Sequence, residues 1–267
     1  MAGPLTDIDV ERLARRLDRA WEDRVTVEPL SQSEGLDSTT AAYAIQTRWN
    51  ELRLERGDRV IGHKIGLTSR AMQEQMGVDE PDYGRLWESR LFPAPGGRAS
   101  VPADLFLQPR IEGELAFLMG SALTGPEITA ADVLAATEAI SVAVEVIDSR
   151  FTDWRIGICD TIADNASYGG LVLGPWDTGL VGEDLRTIGM LISEGGRVVA
   201  EAVGAAALGH PANSVAWLAS TLRDLGQGIA PGDIVLSGSL AKALPVTPGS
   251  EFVVETHGQP ALTVAFT

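Results

Sequence analysis

The chain has 267 residues, of which 45% are apolar and 22% charged, a composition typical of a folded globular protein rather than a disordered one. It carries 37 acidic residues against 21 Lys and Arg, and the resulting net charge of -16 argues against nucleic acids and acidic membranes as partners. Its single cysteine, Cys159, excludes an intrachain disulfide and a Cys-rich zinc module, and fits a reducing compartment.

The first 24 residues alternate apolar and charged residues at short intervals, which predicts no signal peptide. No later stretch approaches the roughly 20 apolar residues that a membrane span needs. We therefore expect a cytoplasmic protein without a membrane segment.

Apolar residues at helical spacing predict two amphipathic helices in the first third of the chain. The first apolar face consists of Val10, Leu13, Leu17, Ala20 and Trp21, and the second of Ala42, Ile45, Trp49 and Leu52. Asp37, Ser38 and Thr39 are candidate N-caps of the second helix, and Gly57 is its expected stop.

From residue 60 onward the pattern favours strands. We predict a strand over residues 60–67, a helix over 69–76 and a turn-rich loop over 79–84 (DEPDYG). Long strands are predicted over 110–119 and 141–147, separated by a helix that Thr129 caps. Further strands are predicted over 171–173, 187–193, 197–203 and 233–236, with a helix near Pro211 and a terminal hairpin over 251–256 and 261–266. Because strands and helices do not alternate strictly, the pattern indicates an α+β protein with a mixed sheet.

Neither a G-x-G-x-x-G nor a Walker motif occurs, which argues against a nucleotide cofactor.

Three glutamates stand in apolar strands. The period of two places Glu112 and Glu114 on one strand face, about 7 Å apart, and Glu145 lies in a run that is apolar on both faces. One hard divalent cation would offset their repulsion and the cost of burial, and oxygen ligands suit Mg²⁺ or Mn²⁺. The alternatives are an exposed face for Glu112 and Glu114, and a buried ion pair between Glu145 and Arg150.

Two further segments are unusually polar for their surroundings. Lys64 stands between two glycines of a strand, where a ligand's anionic group could approach the backbone closely; the alternative is a lysine that reaches solvent at a strand end. Residues 160–167 (DTIADNAS) offer several hydrogen-bonding side chains, and the alternative is a capped turn.

Together, the segments GHKIGLTSRAMQEQMGVDEPDYG, PRIEGELAF, VEVIDSR and DTIADNAS resemble the hydratase/decarboxylase branch of the fumarylacetoacetate hydrolase superfamily. The resemblance implies an α+β fold with a mixed β-roll or sandwich core and an N-terminal helical part. We place the helical part at residues 1–84 and the β-rich, metal-binding core at 85–267, with one continuous domain as the alternative. The resemblance also implies a homo-oligomer, and a neighbouring enzyme of the pathway is a further candidate partner.

The family's metal-binding glutamates match Glu112, Glu114 and Glu145, and its active-site lysine matches Lys64. Its loop aspartate matches Asp82, and its DNAS serine matches Ser167. The resemblance thus implies Mg²⁺ or Mn²⁺ as cofactor and a catalytic group consisting of the lysine, the aspartate and the serine.

The activity implied by the resemblance is addition of water to a small-molecule 2-hydroxy-2,4-dienoate in the catabolism of aromatic compounds. The Asp153-Trp154 and Asp160-Thr161 pairs favour this hydration. The alternatives are decarboxylation of a 2-oxo-3-hexenedioate (4-oxalocrotonate), hydration of a 2-oxo-hept-4-ene-1,7-dioate, acylpyruvate-type C–C hydrolysis, and a noncatalytic metal-binding component of an oligomer.

Overall fold

The computed structural model describes residues 7–267, except for the side chains of residues 7, 71, 72 and 75. Residues 1–6, part of the stretch in which we predicted no signal peptide, lie outside this range. The helices are α1 (Asp7–Asp23), α2 (Leu30–Ser33), α3 (Thr39–Glu55), α4 (Arg70–Met76), α5 (Ala130–Ala136), α6 (Ile158–Ala163) and α7 (Pro211–Asp224). None of these helices is both long and apolar enough to cross a membrane.

The strands fall into a large and a small sheet. They are β1 (Val60–Gly66), β2 (Asp82–Trp87), β3 (Leu91–Phe92), β4 (Arg98–Val101), β5 (Arg110–Met119), β6 (Thr137–Ile147), β7 (Tyr168–Leu173), β8 (Gly189–Glu194), β9 (Arg197–Val203), β10 (Ile234–Leu236), β11 (Leu244–Pro245), β12 (Glu251–Thr256) and β13 (Leu262–Phe266). The large sheet has the order β2-β1-β10-β5-β6-β7-β3, with β11 also paired to β5, and the small sheet has the order β4-β13-β12-β8-β9. β1 pairs parallel with β10 but antiparallel with β2, so the prediction of an α+β protein with a mixed sheet is confirmed.

Each face of the large sheet is covered by a different set of elements. Along β5 the side chains alternate: Leu115 and Phe117 pack into a core with α5, α7 and the small sheet, whereas Ala116 packs into a core with α1, α3 and α6. Glu112 and Glu114 share the face of Ala116. The candidate site therefore lies on the side of the sheet that the N-terminal helices cover.

The N-terminal helices form as their periodicity predicts. The predicted faces of α1 and α3 are buried, apart from the half-buried Val10. The Ser38 side chain accepts a hydrogen bond from the Ala41 backbone N–H at 3.4 Å, and Gly57 follows the end of α3 with a φ of +91°. The Thr129 cap of α5 is likewise confirmed, since its hydroxyl and the Asp132 carboxylate bond each other's backbone N–H groups.

The prediction of a loop over residues 79–84 is wrong at its end, because β2 begins at Asp82. Asp82, Tyr83 and Gly84 pair with Gly66, Ile65 and Lys64 of β1. Cross-strand pairing thus overrides the turn-forming composition of DEPDYG. The boundary that we placed at residue 84 lies inside β2, and strands from both sides of it belong to the large sheet.

Candidate metal centre and active site

The three glutamates come together on one face of two adjacent strands. β5 and β6 pair in a register that sets Glu112 directly opposite Glu145 and Glu114 opposite Ala143. Since side chains at i and i+2 share a strand face, the register brings Glu114 to the same group. One carboxylate oxygen from each glutamate lies within 4.8 Å of the others.

These carboxylates are buried and mostly lack donors. Glu114 and Glu145 are 0% exposed, while Glu112 is partly exposed, so the alternative of an exposed strand face is wrong for Glu114. The Gly238 backbone N–H donates to Glu114 Oε2 at 2.8 Å. Within the described part of the chain, Glu114 Oε1 and both Glu145 oxygens have no hydrogen-bond partner. Three converging carboxylates, with buried oxygens on Glu114 and Glu145 that no hydrogen bond satisfies, fit a hard divalent cation.

Lys64 reaches this group from across the curved sheet. Its Nζ atom lies 3.4 Å from Glu145 Oε1, although β10 and β5 stand between β1 and β6. The sheet must curl for this contact to form, so its concave side holds the lysine and the carboxylates together. With only 3% exposure, Lys64 is not a lysine that reaches solvent at a strand end.

The electrostatics of the group are dominated by burial. Burial raises the pKa of each of the three glutamates, for Glu114 well above its usual range and for Glu145 to about 8, although Lys64 opposes the rise. Burial alone would lower the pKa of Lys64, but the surrounding carboxylates raise it above its ordinary value. Without a cation, burial and mutual repulsion therefore favour the protonated form of these carboxyls, and the carboxylates favour the charged form of Lys64.

Asp82 lies on the same side of the sheet, at the start of the edge strand β2. It pairs with Gly66, and a Cβ added to Gly66 would clash with Asp82 Oδ1 and stand 3.5 Å from Lys64 Nζ. Gly66 therefore leaves the space in which the carboxylate and the ammonium group approach each other. Burial raises the pKa of Asp82, opposed by Lys64, and both of its oxygens lack a hydrogen-bond partner among the described residues.

Ser167 lies directly before β7. Its hydroxyl is 3.5 Å from Asp164 Oδ2, and its carbonyl accepts from the Asp148 N–H at 2.7 Å. In the described structure it makes no hydrogen bond to the three glutamates, Lys64 or Asp82. The structure thus brings five of the six predicted residues together, and it ties Ser167 to a neighbouring polar turn.

The alternative partner that we gave Glu145 is wrong. Arg150 lies beyond the end of β6 and pairs with Asp164, with Nε 2.5 Å from Oδ1 and both side chains fully buried. Sequence reasoning missed this pair, although Asp164 belongs to the polar segment that it singled out. It also missed Gly238. The bond from its N–H to Glu114 arises because β10, which ends two residues earlier, pairs with β5.

Trp154 and Asp160, from the two residue pairs that favoured hydration, form hydrogen bonds with backbone groups. Trp154 Nε1 donates to the Gln108 carbonyl at 3.0 Å. The Asp160 carboxylate accepts from the backbone N–H of Gly157 at the start of α6, which supports the capped-turn alternative for this residue, and it also accepts from the distant Ser31 N–H. Their link to the reaction stays a prediction.

Comparisons with known proteins identify the family of the chain. Residues 64–267 match the family model described as fumarylacetoacetate (FAA) hydrolase C-terminal. The chain is 47% identical to the 2-hydroxypent-2,4-dienoate hydratase of Pseudomonas putida over 81% of this chain and 97% of that one. It is 40% identical to the 2-hydroxyhexa-2,4-dienoate hydratase of Comamonas testosteroni over 97% of both chains.

A solved structure resembles the whole chain. The 4-oxalocrotonate decarboxylase of Pseudomonas putida G7, complexed with magnesium and adipate, superimposes with a TM-score of 0.94 at 32% identity, over 100% of both chains. The family match and these relatives confirm the resemblance deduced from the sequence motifs: the chain belongs to the fumarylacetoacetate hydrolase family, in the branch that contains these hydratases and the decarboxylase.

Proposed function

We propose that this protein is a metal-dependent hydratase that adds water to a 2-hydroxy-2,4-dienoate of the 2-keto-4-pentenoate type. The observation that carries the proposal is the convergence of three glutamates with Lys64 on the concave side of the sheet. The hydratases named above, similar over most of the chain, support the reaction. A noncatalytic scaffold would have little use for a buried lysine and the buried Asp82 beside these carboxylates.

Glu112, Glu114 and Glu145 would hold Mg²⁺ or Mn²⁺, since their donors are oxygens only. The magnesium complex of the similar decarboxylase supports this assignment. When bound, the cation supplies Lewis-acid stabilisation of negative charge on the substrate's adjacent carboxylate and 2-oxygen. The Gly238 N–H keeps one Glu114 oxygen oriented, which leaves the other oxygen available as a ligand.

Lys64, Asp82 and Ser167 are the proposed catalytic residues. The buried ammonium group of Lys64 stabilises negative charge on the 2-oxygen of the substrate as the dienol becomes a ketone. Asp82, whose raised pKa allows it to hold a proton, transfers protons between the substrate carbon chain and water. Ser167 orients the substrate or the attacking water. Water then adds at C4, and the product is a 4-hydroxy-2-oxoacid.

A second candidate function is decarboxylation of a 2-oxo-3-hexenedioate, which the high structural similarity to 4-oxalocrotonate decarboxylase favours. The same three glutamates serve either reaction, because both substrates present a carboxylate next to an oxygen on C2, an enol hydroxyl in the dienoate and a carbonyl in the 2-oxo-3-hexenedioate. The longer 2-oxo-hept-4-ene-1,7-dioate is the alternative hydratase substrate.

The test is to incubate the Mg²⁺-loaded protein with 2-hydroxypenta-2,4-dienoate in ¹⁸O-labelled water. We expect loss of the dienoate ultraviolet absorbance and a 4-hydroxy-2-oxopentanoate labelled at the 4-hydroxyl. An unchanged dienoate together with CO₂ release from a 2-oxo-3-hexenedioate would replace the hydratase with the decarboxylase. Hydration of the heptenedioate alone would assign the longer substrate.

We also propose that the protein is a homo-oligomer in the cytoplasm, with a neighbouring enzyme of the pathway as a further candidate partner. Family membership supports the oligomer, and the free, buried Cys159 supports a reducing compartment. Light scattering coupled to size exclusion tests the oligomer, and a single-chain mass would contradict it.

A further inference from the structure

Three consecutive residues directly before β7 have left-handed backbone conformations, and none is a glycine. Asn165, Ala166 and Ser167 have φ values of 55°, 50° and 55°. Left-handed conformations are unfavourable for residues with a Cβ, and asparagine tolerates them better than alanine or serine does. Such a turn persists only where the surrounding structure holds it, and turns of this kind concentrate at functional sites.

Arg150 holds both ends of this turn. Its Nη2 donates to the Asp164 carbonyl at 2.6 Å, directly before the turn, and its Nη1 donates to the Tyr168 carbonyl at 2.9 Å, directly after it. Its Nε donates to Asp164 Oδ1 at 2.5 Å. The guanidinium group is 0% exposed and lies 5.3 Å from the ring centroids of Trp21 and Trp49, so its orientation is fixed.

The carboxylate of Asp164 completes this attachment. Besides the guanidinium, Asp164 accepts from the Arg150 backbone N–H at 3.1 Å and from the Ser149 hydroxyl at 3.3 Å. Both of these contacts are to Asp164 Oδ2, and the Ser167 hydroxyl lies 3.5 Å from the same Oδ2 atom. The Arg150–Asp164 ion pair therefore attaches the turn to the residues that follow β6, and Asp164 also contacts the Ser167 hydroxyl.

The same turn also holds β2, the strand that carries Asp82. Asn165 Oδ1 accepts from the Arg85 backbone N–H at 2.8 Å, and its Nδ2 donates to the Arg85 carbonyl at 2.9 Å. The side-chain amide thus bonds β2 as a neighbouring strand would. A Cβ added to Gly84 would clash with the Asn165 carbonyl, so turn and strand are in direct contact two residues from Asp82.

We propose that Arg150 is a positioning residue for the reaction of this site, an inference that rests on the proposed function. By holding the left-handed turn it sets the place of Ser167 and, through Asn165, the place of the strand that carries Asp82. In the described structure it makes no hydrogen bond or ion pair to the three glutamates or Lys64, so its influence on the reaction passes through the turn and not through direct contact with these residues.

The test compares Arg150→Lys with Arg53→Lys. Lysine keeps the charge, but its single ammonium nitrogen cannot reach the three acceptors that the Nε, Nη1 and Nη2 atoms of Arg150 bond around the turn. Arg53 is a matched control because it is almost buried and stacks on the same aromatic cluster, 5.6 Å from Trp21 and 5.3 Å from Trp87, without bonding the turn.

We expect Arg150→Lys to speed amide hydrogen exchange in peptides covering residues 163–169 and 83–87, and to lower kcat about tenfold or more. Mg²⁺ affinity should stay within about threefold of wild type, because the glutamate group is untouched. Arg53→Lys should leave exchange in the 163–169 peptide and kcat near wild type, because Arg53 bonds no residue of the turn; its contact with Trp87 makes only the first peptide diagnostic. Unchanged exchange and kcat in Arg150→Lys, or equal effects in both variants, would overturn the proposal.

A rescue separates positioning from general destabilisation. Glycine adopts left-handed conformations freely, so Ala166→Gly should restore part of the exchange protection and of kcat to Arg150→Lys, and no rescue would contradict the proposal. If Arg150→Lys does not fold, Asp164→Asn carries the same expectations for exchange, kcat and rescue. If the wild-type enzyme leaves the dienoate unchanged, the proposed function fails, and the exchange pattern still decides whether Arg150 holds the turn.

Discussion

The ammonium group of Lys64 lies 3.4 Å from Glu145 Oε1, although two other strands separate their own strands in the sheet. The contact exists because the sheet curls around a shared concave space. A buried cation that is already paired with a carboxylate is pre-organised to face negative charge on a bound substrate. This relationship makes Lys64 the residue whose removal is the most direct test of the chemistry.

Replacing Lys64 by methionine should lower kcat at least tenfold, equivalent to about 1.4 kcal/mol of transition-state stabilisation, while the protein stays folded. Methionine fills similar space without the positive charge. Lys242→Met, a change at an exposed lysine, is the matched control and should leave the kinetics unchanged. Steady-state kinetics beside a circular dichroism spectrum check the expectation. A folded Lys64→Met enzyme with wild-type kcat would assign Lys64 a structural role only.

Removal of the divalent cation should abolish activity, because the site then lacks the Lewis acid that would stabilise negative charge on the substrate's 2-oxygen. Chelator-treated protein should regain turnover with Mg²⁺ or Mn²⁺. Glu114→Gln should weaken Mg²⁺ binding at least about tenfold by titration calorimetry, whereas Glu138→Gln, an exposed carboxylate of the same sheet, should bind as wild type. Full turnover after verified metal removal would refute the metal requirement.

Mg²⁺ binding should depend on pH, because burial raises the pKa of Glu145 to about 8 in the metal-free protein. Below that pH the carboxyl holds a proton that the cation must displace, so affinity should increase as pH rises from 6 toward 8, by up to about tenfold per pH unit for one proton. Calorimetry in buffers of different ionisation enthalpy should detect the released proton at pH 7. Equal affinity at pH 6 and pH 8 would show that the carboxyls are already ionised.

Gly66→Ala should lower both stability and kcat, although it removes no functional group. The added methyl would clash with Asp82 Oδ1, and overpacking of this kind costs about 1–3 kcal/mol. Gly189→Ala is the matched control in another strand, because its added Cβ meets nothing within 4 Å. Urea unfolding and kinetics of both variants check the expectation. Wild-type behaviour of Gly66→Ala would mean that Asp82 has room to move without consequence.

The local sequence pattern determined the helix faces, two helix starts and the strand face of the glutamates. Apolar periodicity determined the buried faces of α1 and α3, and Ser38 and Thr129 identified two helix starts, because caps and periodicity depend only on neighbours in the chain. The period of two placed Glu112 and Glu114 on one face, and the apolar run around Glu145 indicated its burial.

Only the tertiary structure decided which of these groups meet. The β5–β6 register sets Glu145 opposite Glu112, and a slip of one residue would have turned it to the other face. The curl of the sheet brings Lys64 to Glu145, and pairing with β1 makes a strand of residues that composition assigned to a loop. Arg150 pairs with Asp164 and not with Glu145 because the chain turns back after β6 and brings Asp164 to the guanidinium group. Each of these contacts joins residues distant in the chain or separated by other strands, so no local preference of the sequence specifies it.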